Sequence, residues 1–153
     1  MKTLMVVYSY HHNNTEKVAN AMAEVLNADV KNLQDKLTEE MDQYDLVGFG
    51  AGIDSGRHYK PMLDFAITLP PVNGKKAFIF STSAIYGEKK MLKDHAALRD
   101  ILIGKGYKII GEYSCAGYNT NSVLKYFGGM NRGKPNEEDL HAAKAFAASL
   151  CSQ

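Results

Sequence analysis

The sequence lacks tryptophan altogether and holds only two cysteines and four prolines among 153 residues. Cys115 and Cys151 match no metal or redox spacing and cannot build a disulfide framework. Read as free thiols, they suit a reducing compartment. Charge of one sign is also missing: 18 basic residues stand against 17 acidic ones, for a net charge of +1. That balance excludes a polycation seeking nucleic acid, and pairs such as Lys75-Lys76 and Lys89-Lys90 read as solvated faces. No apolar run approaches the ~20 residues of a membrane span. The first apolar run stops at Ser9, short of a signal-peptide core and without its small-residue cleavage site. There is no linker, internal repeat or low-complexity tract. What remains is ordinary: 45% hydrophobic and 23% charged residues, the composition of a globular protein. The expectation is a single domain over 1–153 in the cytoplasm, with neither nucleic-acid binding nor membrane insertion.

Two kinds of segment alternate. Residues 3–8, 45–50 and 77–80 are continuous apolar runs, as in strands buried on both faces of a parallel sheet. Residues 107–113 alternate more, which suits a strand nearer an edge, and 28–32 form a weaker candidate. Between them, Val18, Met22, Val25 and Leu26 share one helical face. Leu37, Met41 and Tyr44 hint at a short helix. Pro61 fits the first turn of a helix carrying Met62, Phe65 and Ala66. Met91, His95, Leu98, Ile101 and Leu102 make a further face, and Leu140, Ala143, Ala147 and Leu150 the last, opened by Pro135, Asn136 and acidic residues. Repeated strand–helix alternation predicts a doubly wound α/β sheet.

In such a sheet, ligands bind beyond the carboxyl ends of the strands, where strand order reverses. After the first strand comes Ser9-Tyr10-His11-His12-Asn13-Asn14-Thr15-Glu16, leading straight into a helix. A helix N-terminus offers orphan amides and partial positive charge, so it can hold a phosphate without lysine. Ser9 and Thr15 can donate hydroxyl hydrogen bonds, and Asn13 and Asn14 tolerate a left-handed backbone that curls amides inward. The plainer alternative is that Asn13 caps the helix with Glu16 as the return half of a capping box. Neither the nucleoside-triphosphate loop nor the dinucleotide glycine fingerprint is present, so a phosphate monoester is the better fit. Gly52 and Gly56 flank Ile53-Asp54-Ser55 after the third strand. Ser81-Thr82-Ser83-Ala84-Ile85-Tyr86-Gly87 follows the fourth. Histidines 11, 12, 58, 95 and 141 lack the spacing of a zinc site. His11 or His12 would gain a proton more readily beside a phosphate dianion. Tyr126, Phe127 and Met130, in a long aperiodic stretch, can serve as cover for a ligand or as plain packing.

The segment Ser9-Tyr10-His11-His12-Asn13-Asn14-Thr15-Glu16-Lys17-Val18-Ala19 resembles the phosphate loop of the flavodoxin family, with Asn13 in place of the usual glycine. Gly52-Ile53-Asp54-Ser55-Gly56, Cys115-Ala116-Gly117-Tyr118 and the final Pro135-Asn136-Glu137 helix extend the likeness over the chain. The resemblance implies a three-layer α/β/α sandwich around a five-stranded parallel sheet of order 2-1-3-4-5, with FMN at the switch point. It implies FMN contacts from Ser9, Tyr10, His11, Asn13, Asn14 and Thr15 to the phosphate. Gly52, Ile53, Asp54 and Ser55 would meet the ring as a first loop, with Ile53 and Tyr59 as cover. Thr82, Ser83, Ala84, Tyr86 and Gly87 would form the second ring loop, Tyr86 stacking. The chain departs from the family in lacking tryptophan and in being near neutral.

The implied function is an FMN-binding carrier that shuttles electrons between redox partner proteins. The alternative is an FMN-dependent NAD(P)H:quinone or small-molecule reductase, which would need a substrate pocket beside the ring. A flavin-free module such as a receiver domain shares the topology but needs carboxylates after the first strand, and residues 9–12 contain none.

Overall fold

The apolar runs form strands of one sheet, and the helical faces cover it on both sides. The computed structural model describes residues 1–9, 13–33, 37–85, 87–117 and 133–153. Along the chain come β1 (Thr3–Tyr8), α1 (Asn14–Leu26), β2 (Asp29–Asn32), a 3₁₀ turn (Met41–Gln43), β3 (Leu46–Asp54) and β4 (Arg57–His58). Then follow α2 (Lys60–Thr68), β5 (Lys76–Ser83), α3 (Glu88–Asp94), α4 (Ala96–Gly104), β6 (Lys108–Ala116) and α5 (Glu137–Leu150). The parallel strands lie in the order β2-β1-β3-β5-β6, which is the expected 2-1-3-4-5 when only they are counted. The continuous apolar runs are the three central strands, and the more polar β2 and β6 are the edges.

The sixth strand departs from the sequence reading, which leaves 51–59 as a loop. β3 runs on to Asp54 and turns back, pairing Ile53 with His58 and Asp54 with Arg57 in antiparallel fashion. Ser55 (φ 53°) and Gly56 (φ 78°) form the two-residue turn. Positive φ at both central positions gives the hairpin turn whose twist matches its strands. β5 likewise extends to Ser83, so Ser81, Thr82 and Ser83 are strand rather than loop.

The sheet separates two apolar layers. On one side, α1 and α5 bring Val18, Met22, Ala143 and Ala147 against Met5, Val7, Phe78 and Phe80. On the other, α2 and α4 bring Met62, Ala66, Leu98 and Leu102 against Leu4, Val6, Phe49 and Ile79. Gly48 and Gly50 pair with Phe78 and Phe80, and the two rings lie over them. A Cβ on either glycine would stand 2.3 or 2.1 Å from a ring carbon. Leu37, Met41 and Tyr44 do pack into the second layer, but only Met41–Gln43 is helical, as a single 3₁₀ turn. The helical face from Met91 to Leu102 is two helices joined at His95. α5 opens as expected: the Asn136 side chain accepts from the Asp139 amide at 3.0 Å, and Asp139 accepts from the Asn136 amide at 2.9 Å.

One irregularity decides which face a charged residue takes. Ala77 pairs with Ile109, but Phe78 pairs with Gly111, so Ile110 is extra. Past this bulge Glu112 pairs with Ile79 and shares its face, toward α4. Without the extra residue, Glu112 would oppose Phe80 and point to the α1/α5 layer.

Candidate functional site

The switch point lies between β1 and β3, because the chain leaves β1 for β2 on one side and returns to β3 on the other. Three of the segments singled out in the sequence meet there. β1 ends at Tyr8, beside Ala51 of β3, and Ala51 in turn pairs with Ser81. Ser9 follows immediately. Its Oγ is buried, with no hydrogen-bond partner among the described residues. A buried hydroxyl left unmatched costs free energy, so this atom fits a role of donating to a ligand oxygen.

α1 begins five residues past Ser9. Asn13 has φ 53° and ψ 31°, the left-handed conformation expected of it, but its side chain makes no cap. The capping-box alternative is therefore corrected: in the left-handed region the Asn13 side chain does not reach back over the first turn. Its carbonyl accepts from the Lys17 amide at 3.1 Å, and its side chain offers nothing to the first-turn amides. These amides, with the dipole behind them, suit an anion. Thr15, 1% exposed, shares a 2.8 Å hydrogen bond with the Thr82 hydroxyl. When Thr82 donates, the Thr15 hydrogen is available for a ligand. The same bond places Thr82 beneath the helix start. Asn14 is buried, and a Cβ on Gly117 at the end of β6 would lie 2.7 Å from its Nδ2. The Gly117 amide donates to the Ser83 carbonyl at 3.0 Å. β1, α1, β5 and β6 thus converge on one polar rim.

The hairpin rises beside this rim. Gly52 has no room for a side chain: a Cβ would stand 2.8 Å from the Tyr59 ring, while the Tyr59 amide donates to the Gly52 carbonyl at 3.0 Å. Tyr59 also meets Tyr8 edge-on at 6.1 Å, so it covers the hairpin base. Ile53 is half-buried, and Asp54 and Ser55 are exposed at the tip, with the Ser55 hydroxyl 3.4 Å from Asp54 Oδ1. Ser83 and Ala84 are half-buried, and Gly87 (φ 145°) precedes α3. Tyr10, His11, His12, Tyr86, Tyr126, Phe127 and Met130 lie outside the described residues.

Behind the hairpin lies a buried polar cluster that the sequence reading does not anticipate. His58 is 1% exposed and His95 is 0% exposed, and their ring centroids are 4.8 Å apart. The Phe80 carbonyl, 3.1 Å from His58 Nε2, can only accept, so Nε2 carries the hydrogen. His58 Nδ1 has no partner among the described residues. Burial, reinforced by the neighbouring His95, pushes the His58 pKa down to about 3. His95 Nδ1–H donates to Glu112 Oε1 at 3.0 Å, and its Nε2 meets the Ser81 hydroxyl at 2.7 Å. Arg99 clamps Glu112 through Nε at 3.0 Å and a terminal nitrogen at 2.8 Å. Burial alone would raise the Glu112 pKa. The hydrogen bonds from His95 and Arg99 outweigh it and hold the carboxylate at about 2. His95 on an otherwise apolar helical face was the available signal, since a buried imidazole needs polar partners.

Strand order, switch point and the segments gathered upon it define a flavodoxin-like α/β protein. A family model described as flavodoxin domain matches residues 5–149. An uncharacterized protein of Methanocaldococcus jannaschii is 45% identical over 150 residues, covering 98% of each chain. Oxidised Flavodoxin 2 from Bacillus cereus superposes with a TM-score of 0.73 at 18% identity, covering 99% of both chains. A Fusobacterium nucleatum flavodoxin bound to flavin mononucleotide gives 0.69 at 15% identity, covering 99% of this chain and 98% of that one. The chain belongs to the flavodoxin-domain family. Among the described residues, no helix is long and apolar enough to cross a membrane.

Proposed function

We propose that this chain, acting as one domain in the cytoplasm, binds FMN and carries electrons between redox partner proteins. The observation that carries the reading is the buried, unmatched Ser9 hydroxyl beside a helix start that Asn13 leaves uncapped. Together these supply a hydroxyl and a set of amides for a phosphate without any cationic side chain. The likeness to a flavodoxin bound to flavin mononucleotide supports the same ligand. Ser9, Asn13, Asn14 and Thr15 would hold the phosphate, with Tyr10 and His11 belonging to the same loop by resemblance. The hairpin at Gly52, Ile53, Asp54 and Ser55 would lie along one side of the ring. Ser83, Ala84, Tyr86 and Gly87 would line its other edge, with Thr82 bracing Thr15 from below.

FMN, when bound, supplies the redox chemistry; the protein supplies binding, orientation and electrostatics. Gly52 lets the Tyr59 ring pack directly on the hairpin backbone, where a Cβ would stand 2.8 Å from it. Cytoplasmic placement draws on the thiols: Cys115 is buried, its pKa pushed up to about 12 chiefly by burial, and Cys151 is a free, exposed thiol. The test is the visible spectrum of the purified protein with FMN, FAD or riboflavin added. FMN should give a perturbed flavin band at one equivalent, and an unperturbed spectrum would end the reading.

A second reading, an FMN-dependent NAD(P)H:quinone or small-molecule reductase, draws on a cavity of about 510 Å³ bordered by the hairpin, α2 and α4. It shares Asp54 and Ser55 with the proposed ring site and adds Leu63 and Ile101 as apolar wall. Aerobic quinone reduction by the isolated FMN-loaded chain with NAD(P)H would favour it, and its absence would favour the carrier.

A further inference from the structure

The buried imidazoles form the floor on which the hairpin stands. His58 is the returning end of that hairpin, paired with Ile53. Its ring turns inward onto the Phe80 carbonyl and His95. His95 sits at the α3–α4 junction and ties it to β5 through Ser81 and to β6 through Glu112. The preceding residue, Asp94, is 4% exposed, and its Oδ1 lies 4.0 Å from where a Cβ on Gly56 would be. Lys90 neutralises it at 2.5 Å. A hairpin joined by two residue pairs is marginal alone. Here its base and tip rest on one polar block drawn from α3, α4, β5 and β6.

Ser81, His95 and Glu112 have the sequence of contacts of a nucleophile, its base and an orienting carboxylate. Ser81, however, is 1% exposed within β5, between β3 and β6, so no substrate can reach its hydroxyl. The chain of hydrogen bonds therefore has a mechanical role. Satisfied buried networks rigidify what they join, and this one joins the hairpin to the rest of the sheet.

We propose that His58 and His95 are positioning residues for the flavin ring, fixing the Ser55–Gly56 turn beside it and so setting the relative affinity for its oxidised and reduced forms. The inference rests on the FMN reading above. The charged or titratable groups gathered about the imidazole pair are Asp94 of α3, Arg99 of α4 and Glu112 of β6. Among the described residues, Arg99 bonds to Glu112 of the network and Lys90 to Asp94 beside it.

The test compares the FMN-loaded full chain with His58→Leu, His58→Gln and Ser81→Ala, measuring FMN dissociation constants in both redox states. His58→Leu and Ser81→Ala should change the ratio of the two constants by ~10-fold, which is ~30 mV for the two-electron couple. His58→Gln keeps a donor for the Phe80 carbonyl and should stay within roughly threefold of wild type, ~15 mV on that scale. An unchanged ratio in His58→Leu with FMN bound overturns the inference and leaves the FMN reading intact. Should His58→Leu not fold, ring ¹⁵N spectra of the wild-type histidines decide. Loading and reducing FMN should move His58 and His95 while exposed His141 stays fixed; unmoved His58 and His95 resonances overturn it. A wild-type chain that takes up no FMN overturns both proposals together.

Discussion

Ser9 is where the proposed phosphate recognition turns on one atom. A hydrogen bond to a charged group contributes ~1.5–3 kcal/mol. Ser9→Ala should therefore weaken FMN binding by ~10–100-fold and leave riboflavin, which has no phosphate, unaffected in a calorimetric titration. Equal losses for both ligands would place Ser9 elsewhere in the site. Asp54 works in the other direction. Exposed at the hairpin tip, its carboxylate would disfavour added negative charge on a flavin ring bound as proposed. Asp54→Asn should raise the potential of the fully reduced state in spectroelectrochemistry, and an unchanged or lowered value contradicts the assignment. The buried cluster predicts a pH dependence of stability. Folded His58 has its pKa at about 3, well below the ~6.5 of an unfolded chain. The unfolded state thus takes the proton first, and stability falls as pH drops from ~6.5 toward 3. Glu112, held at about 2 against an ordinary 4.5, adds a second loss below 4.5. Urea midpoints measured from pH 8 to 3 should decline in these two limbs. His58→Gln should flatten the decline above pH ~4.5 and make the one below it shallower, leaving the Glu112 part.

At the scale of elements, the strands were legible because burial on both faces writes continuous apolar runs into β1, β3 and β5. The start of α5 was legible in Pro135 and Asn136. The hairpin was not. Ser-Gly is a weaker turn signal than Asn-Gly, and Asp54 and Arg57 look like loop residues although they pair. The break between α3 and α4 was hidden because His95 continues the apolar period of both pieces. The face taken by Glu112 was hidden too, since the extra residue at Ile110 has no local signature in sequence. The site's loops could be found, but the cluster behind them depends on register between strands that are distant in the chain. Gly48 illustrates a constraint that only packing explains. Gly48→Ala drives a methyl into the Phe78 ring, and overpacking of this kind costs ~1–3 kcal/mol. Thermal unfolding should shift down by ~2–4 °C for each of those kcal/mol; an unchanged midpoint would mean that Phe78 moves aside freely.

For the molecule as a whole, the sheet presents its polar rim at one end and keeps both faces dry. The proposed anion site, the hairpin and the imidazole pair all occupy that end, above the switch between β1 and β3. The proposed redox partners of a near-neutral chain would dock with little electrostatic steering. Specificity for them would then fall to the shape of the rim and to the proposed flavin. The most direct measurement is calorimetric titration of the purified chain with FMN and, in parallel, with riboflavin. One equivalent of FMN bound tens of times more tightly than riboflavin is the predicted result. Equal affinity for the two, or no heat with either, would contradict a flavin mononucleotide site built on Ser9 and the start of α1.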